Sequence, residues 1–493
     1  MTNNCLDISR RGQEKQFIHQ QKKGDIVTYS SNIKLPNAAE YIIASLEKRG
    51  FEAYAVGGCV RDSVMGKKPK DWDICTEALP EQTMQCFAGQ RIIETGLKHG
   101  TVSLLLNNEA YEVTTFRADG IYKDNRRPET VEFIKDIKGD LARRDFTINA
   151  LAYNPEKGIQ DPFGGMADIK GKTIRCVGDA EKRFGEDALR IMRALRFASV
   201  LEFEIEAATA AAVKKKCGLL RCIAAERVSA ELGALLIGGG VGSVLLSYSS
   251  VIEAIIPEIS ETIGFVQKSK YHDLDVWEHT VRSVTYATED ILLRLAMLLH
   301  DIAKPLCFTE VDGIGHFRGH PQKSAEMAKG ILSRLKYDKE TIGAVVELIL
   351  HHGKDVEPAH KPVKRWLNLL GEVRLRQLLE IKRADTMAKA APFRQGQIEQ
   401  IDAALSVLNE VIRQRQCFSI KGLEVSGRDL IAIGIPQGPD IGKVLGRLLE
   451  MVIDEEIEND RTKLLKKVKF DLRLDADCDT IHPIIKNGRG TKV

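Results

Sequence analysis

The sequence predicts an α+β protein: a mixed sheet with helices in the N-terminal part, followed by an all-helical remainder. Short apolar runs of strand length, such as Ala53–Val56 and Val102–Leu106, stand between glycine-bearing turns in the first third of the chain. From Arg183 onward apolar residues recur at helical spacing, as at Leu189, Met192 and Phe197. With 493 residues, 43% of them hydrophobic, the chain is long enough for three or four domains with real cores. The expected parts are a polar extension over 1–35, a sheet-bearing head over 36–165, a helical neck over 166–264, a histidine-rich helical domain over 265–395 and a partly basic helical region over 396–493.

Composition narrows the function classes. The net charge is only +3, so any nucleic-acid surface must come from local basic patches. Ten cysteines are scattered without a Cys-x-x-Cys pair, which fits reduced thiols better than a disulfide framework or a zinc knuckle. No apolar run reaches the length of a membrane span, and the N-terminus lacks the apolar core of a signal peptide, so a cytoplasmic soluble enzyme is the expectation.

Taken in order, residues 1–35 are polar and mixed in charge and read as a loosely ordered extension, with a basic arm touching RNA as the alternative. A helix is expected from about Pro36, its apolar face formed by Ala39, Ile42, Ile43 and Leu46. The run Ala53–Val56 then enters Gly57-Gly58, predicting a strand, a tight turn and a helix from about Val60. Paired glycines let backbone amides approach a phosphate closely. Asp71 and Asp73 follow, read as one face of the next strand, where two carboxylates suit Mg²⁺. Strands over Val102–Leu106 and Tyr111–Arg117 come next. Glu112 is either a third carboxylate beside that pair or a partly exposed strand residue.

The order strand, Gly-Gly, helix, Asp-x-Asp resembles the nucleotidyltransferase superfamily with its polymerase-beta-like head. More narrowly it resembles bacterial tRNA nucleotidyltransferases (CCA-adding enzymes) and their poly(A) polymerase relatives. The stretch Arg143-Arg144-Asp145-Phe146-Thr147-Ile148-Asn149 is similar to that family's second motif. Physically it offers arginines to a triphosphate, with Asp145 and Asn149 for ribose or primer hydroxyls. The resemblance makes Arg117–Pro128 a flexible loop used in switching from C to A addition. It makes Asp187 and Arg190 of Glu186-Asp187-x-x-Arg190 the pair that reads the base of the incoming nucleotide. A carboxylate and a guanidinium can together satisfy the Watson–Crick edge of C or A. Gly57, Gly58, Arg61 and Asp62 are expected to position the triphosphate. Arg193 and Arg196 are candidates for phosphate or tRNA, and Glu226–Leu232 for bracing the neck.

Most of the chain's 11 histidines lie between residues 265 and 395. Imidazoles and carboxylates on successive helices suit a buried divalent cation. The His300-Asp301 dipeptide resembles the centre of an HD phosphohydrolase domain. That resemblance implies His279, His300, Asp301 and Asp385 as metal ligands, with His320 and His351 as the additional histidines of fuller sites. It leaves the metal unidentified. His272 and His316 are substrate contacts or polar core residues, and His352 and His360 read as structural. At the C-terminus, Gly434–Lys443 reads as a turn opening a helix, fit for a tRNA phosphate or a plain connection.

The resemblance therefore implies template-independent addition of C, C and A to the tRNA 3′ end from CTP and ATP, with Mg²⁺ on Asp71 and Asp73. The expected partners are tRNA, CTP and ATP, with no membrane and no protein partner. The rivals are a poly(A) polymerase, a metal-dependent phosphohydrolase with an RNA-binding head, and a non-catalytic RNA-binding protein.

Overall fold

The computed structural model describes residues 20–23, 26–29, 33–94, 96–119 and 131–477, and the chain divides into two compact units, residues 1–257 and 258–493. Most of the loop expected at Arg117–Pro128 lies outside the described residues.

The first unit is built on a nine-stranded mixed sheet. Across it the strands run Gln20–Lys23, Ile26–Tyr29, Gly158–Asp161, Ala152–Asn154, Ala53–Val56, Ile74–Thr76, Glu109–Thr115, Thr101–Leu106 and Arg91–Ile93. Neighbours are antiparallel except Ile74–Thr76 and Glu109–Thr115, which are parallel. The first two strands fall in the stretch expected to be loosely ordered, and Ile26–Tyr29 pairs antiparallel with Gly158–Asp161. The expected amphipathic helix spans Asn37–Glu47, and Ala39, Ile42, Ile43 and Leu46 are its buried residues. They pack with Ala53, Ala55, Ile74, Val102 and Leu104 into the core on one face of the sheet. Tyr54, Val56, Phe116, Leu141 and Ala152 form a second core. The two cores follow from strand alternation: Ala53 and Ala55 go to one, Tyr54 and Val56 to the other. Helices then take over, from Ala180–Glu186 and Leu189–Leu201 through Ala225–Leu236 to Ser249–Ile255. One short parallel pair, Thr173–Ile174 with Glu204–Ile205, interrupts the helical part.

In the second unit the principal helices are Val276–Tyr286, Ile291–Leu299, His320–Arg334, Lys339–His351, His360–Ala388 and Gln395–Arg413. The remainder is not wholly helical, because Thr309–Val311 and Ile314–His316 form a hairpin. The 29-residue helix His360–Ala388 breaks its helical dihedrals at Gly371, with φ 73° and ψ 169°. A smaller core around Leu430, Leu448, Leu449 and Leu464 closes the C-terminal part. No helix among the described residues is long and apolar enough to cross a membrane.

Candidate active site

In the first unit the sheet delivers Ala53–Val56 into Gly57, whose φ of 78° and ψ of −127° suit glycine alone. Its amide donates to the Leu151 carbonyl at 3.0 Å. A Cβ at this position would lie 2.8 Å from Nη1 of Arg144, so the end of that side chain would have to shift. The helix begins at once, as Gly58–Val64, two residues earlier than expected. It carries buried Arg61, which donates to Asn149 Oδ1 at 2.6 Å and to Asp62 Oδ1 at 2.8 Å.

Asp71 and Asp73 do not lie within a strand. The strand proper starts at Ile74, because Ala53–Val56 turns away at Gly57 and leaves residues 71–73 without a strand partner. One bond survives, from Val56 N–H to the Asp73 carbonyl at 2.9 Å. Ile74 pairs with Val113, so the same register sets Glu112 beside Asp73. The Asp73 side chain opens into the cleft, yet the surrounding walls strip enough water to push its carboxyl up to about 6, with Asp71 and Glu112 adding repulsion and Arg144 opposing it. Among the described residues neither Asp71 nor Asp73 is held in a salt bridge, so their hard oxygens are uncommitted.

The second motif is not a continuous helix. Helix Ile137–Ala142 stops at Arg143, and Thr147–Asn149 is a separate 3₁₀ turn. Asp145 accepts from Asn149 Nδ2 at 3.0 Å, from the Phe146 amide at 2.8 Å and from Arg193 Nε at 2.7 Å. Burial presses its carboxyl upward, but Arg193, Asn149 and the amide overcome this and hold it at about 2. Asp145 and Asn149 thus hold Arg193 and Arg61 in place. Fully buried Asp140 does the same for Arg143 and Arg144, at 2.8 and 3.3 Å.

The neck also departs from one uninterrupted helix. Asp187 stands outside both flanking helices with φ −135°, its carboxylate accepting from the Leu189 amide at 3.1 Å and facing Arg227 at 3.5 Å. Arg190 is buried, with Nη2 on the Arg143 carbonyl at 2.9 Å. Glu231, in the segment expected to brace the neck, lies 2.9 Å from Arg196 and 3.8 Å from Arg193. The guanidinium carbons of Arg61, Arg193 and Arg196 lie 5.1, 5.3 and 4.3 Å from the centre of the Phe197 ring.

These elements enclose a cavity of about 560 Å³. It is lined by Gly57, Gly58, Arg61, Asp62, Asp71, Asp73, Arg143, Asp145, Asn149, Asp187, Arg190, Arg193 and Arg196, all singled out in the sequence, whereas Glu112 is not among its lining residues. Arg144 of the same motif also lines it, and Lys70 and Phe197 join them without having been singled out. Uncommitted carboxylates on one wall and fixed guanidiniums on the others suit a polyphosphate bound with a divalent cation.

The second unit has its own cluster. His279 Nε2 lies 2.9 Å from Asp385 Oδ1 and 3.5 Å from Asp301 Oδ2. His300 Nε2 lies 3.1 Å from Asp301 Oδ2 and 3.6 Å from Asp385 Oδ1. On the other side of Asp301, its Oδ1 lies 3.3 Å from His320 Nε2 and 3.7 Å from His352 Nε2. The choice between adjacent histidines is corrected here: His352 joins the cluster, whereas His351 stacks edge-on against Trp366 at 5.3 Å between centroids. His351 ends its helix and His352 caps it, and the cap turns inward. His272 and His316 line the same cavity of about 470 Å³, with Lys304, Arg318, Lys382 and Lys389. His360 faces Glu410 instead. Burial, then Lys304, depresses His272 to about 2, so it is neutral. Burial also works against His300, but Asp301 and Asp385 outweigh it and hold the imidazole at about 9. Nitrogen and carboxylate donors crowded at such distances fit a transition-metal cation.

Comparison with known proteins agrees with this anatomy. Residues 53–175 match the family model "Poly A polymerase head domain", residues 202–263 match "Probable RNA and SrmB- binding site of polymerase A", and residues 320–468 match a tRNA nucleotidyltransferase domain 2 model. The chain is 32% identical over 437 residues to a CCA-adding enzyme of Levilactobacillus brevis, covering 87% of this chain and 96% of that protein. It is 50% identical over 201 residues to a CCA-adding enzyme of Lactiplantibacillus plantarum, covering 41% of this chain and 49% of that one. Among solved structures, the Bacillus stearothermophilus CCA-adding enzyme in complex with CTP matches with a TM-score of 0.64 and 27% identity, over 89% of this chain and 98% of that one. With a relative above 30% identity matched over nearly its whole length, the chain belongs to the CCA-adding enzyme family.

Proposed function

We infer that this chain adds C, C and A to the 3′ end of tRNA, taking CTP and ATP and using no nucleic-acid template. The observation that carries the reading is the head cavity, where the acidic pair, the arginine walls and Asp187 with Arg190 line one space. Enzymes of this family use a divalent metal. The uncommitted oxygens of Asp71 and Asp73 fit Mg²⁺, and Glu112, beside Asp73 in the sheet register, is the candidate third carboxylate. Bound there, Mg²⁺ supplies a Lewis acid that eases ionisation of the primer hydroxyl and neutralises the departing pyrophosphate. The protein's own part is positional. Arg61, Arg143, Arg193 and Arg196 orient the triphosphate, each held from behind by Asp62, Asp140, Asp145, Asn149 or Glu231. Asp187 and Arg190 read the base edge, with Arg190 fixed by its bond to the Arg143 carbonyl.

In the second unit, the His279, His300, Asp301 and Asp385 cluster fits a divalent cation of the HD phosphohydrolase type. Such a cation supplies activation of water toward a phosphoester. Lys304, Lys382 and Lys389 on the cavity wall suit an anionic ligand.

The test is incorporation on a tRNA lacking CCA, supplied with CTP alone, ATP alone and both together. Two C residues with CTP alone and a completed CCA with both are expected. Repeated A without C would make the chain a poly(A) polymerase. Phosphoester hydrolysis that survives Asp71→Ala but not His300→Ala would assign that activity to the second unit.

A further inference from the structure

We propose that Phe197 is a positioning residue for nucleotide addition: the negative face of its ring is the shared pole that holds Arg61, Arg193 and Arg196 in the pose that receives the triphosphate. This rests on the reading that those arginines orient the triphosphate in the head cavity.

The helix Leu189–Leu201 assembles most of the cluster by its period. Arg193 and Phe197 stand four residues apart and share a face, with Arg196 three residues from Arg193. Arg61 arrives from the helix Gly58–Val64. The guanidinium carbons lie 5.1 Å (Arg61), 5.3 Å (Arg193) and 4.3 Å (Arg196) from the ring centre, inside the ~6 Å reach of cation–π attraction. Phe197 is 7% exposed, so water screens little of that attraction. The ring also stands nearly perpendicular to that of fully buried Phe146, at 81° with centroids 5.8 Å apart. The pole is therefore fixed by the core before any nucleotide arrives.

Carboxylates alone leave the cluster short. Asp145 pairs with Arg193, and Asp62 pairs with Arg61. Arg196 shares Glu231 with Arg193, at 2.9 and 3.8 Å. Yet neither the buried Arg196 Nε nor Glu231 Oε2 makes a well-directed hydrogen bond. Burial pulls the Arg196 guanidinium below its ordinary range, Glu231 opposes this, and Arg193 and Arg61 add like-charge repulsion. The Phe197 ring lies within reach of all three cations. A saturated side chain of similar bulk would fill the space without offering them a negative face. The triphosphate is common to CTP and ATP, so losing the pole weakens both nucleotides alike and leaves base reading by Asp187 and Arg190 intact.

In the full-length chain, Phe197 is replaced by its 4-fluoro, 3,5-difluoro and 3,4,5-trifluoro analogues, which drain negative charge from the ring face with little change of shape. KM and kcat are measured for C addition to a tRNA lacking CCA and for A addition to a tRNA ending in CC. KM for CTP and for ATP should rise stepwise with fluorine count, by the same factor and by at least about fivefold for the trifluoro ring, with kcat changing far less. Phe197→Leu should raise both KM values at least as much. The fluorinated rings keep the bulk of the side chain, so the series decides the matter even if Phe197→Leu fails to fold. A flat series, or a rise for one nucleotide only, overturns the role of the ring. If Arg196→Met raises KM while the series stays flat, the triphosphate reading stands and the ring's part alone fails. If Arg196→Met also leaves KM unchanged, both fail.

Discussion

Replacing Arg193 with methionine tests whether the arginine wall is held by buried charge pairing. Arg193 makes the closest cationic contacts to Asp145, at 2.7 Å from Nε and 2.6 Å from Nη2, and Asp145 is 8% exposed. The Asp145 carboxyl is held at about 2 against an ordinary 3.8, which corresponds to roughly 2 to 3 kcal/mol. Arg193→Met keeps the apolar stem and removes the charge. Burial is then opposed chiefly by Asn149 and the Phe146 amide, and the carboxyl is expected to rise above its ordinary value. The expected loss at pH 7 is about 3 kcal/mol, at the lower end for breaking a buried pair. The sign with pH is specific. In the parent, the depressed pKa contributes stability that is complete above about 3.8 and lost toward 2. In Arg193→Met the raised pKa imposes a penalty at pH 7 that is relieved as the pH falls through it. The gap between the two proteins therefore narrows from pH 7 to pH 4. Urea unfolding at both pH values, followed by Trp72 fluorescence with Trp277 and Trp366 replaced by phenylalanine, reports on the first unit. A gap that stays constant, or a double variant with Asp145→Asn no more stable than Arg193→Met alone, refutes the reasoning.

Other outcomes follow from the same geometry. Asp71→Asn and Asp73→Asn should each lower nucleotide incorporation at least about a hundredfold. Neither should lower the melting temperature, because Asp73's carboxyl is crowded by like charges in the fold; a lower melting point would contradict this. Gly57→Ala should cost about 1 to 3 kcal/mol and reduce incorporation, since it imposes a disfavoured φ and displaces Arg144, as thermal melts and primer extension would show. Gly371→Ala has open space around it, so any loss of about 1 kcal/mol or more measures backbone strain alone. Gly330→Ala, within a regular exposed helix, should instead stabilise by up to about 1 kcal/mol in the same melts.

Much of the site was legible because its chemistry is written in short local strings. The glycine pair, the acidic pair and Asp187 with Arg190 each occupy a few consecutive residues, and all line one cavity. What escaped depended on chain direction. Whether Asp71 and Asp73 lie in a strand is decided by where Ala53–Val56 turns away, a partner more than a dozen residues upstream. His351 and His352 are adjacent on a helical period, so local pattern cannot say which one faces inward; the tightening at the helix end decides it. Glu231 looks like an ordinary helical acid until packing brings arginines from another helix onto it, whereas Asp140 pairs with Arg143 and Arg144 of its own segment. Phe197 reads as core, yet three guanidiniums surround it.

The pairing of Ile26–Tyr29 with Gly158–Asp161 has a practical side. A shortened chain beginning after residue 29 would expose the amides and carbonyls of Gly158–Asp161 along an open border of the sheet. Such a border recruits strands from neighbouring molecules. Removing these residues, which the sequence alone marks as a loosely ordered extension, would thus be expected to make the chain prone to self-association.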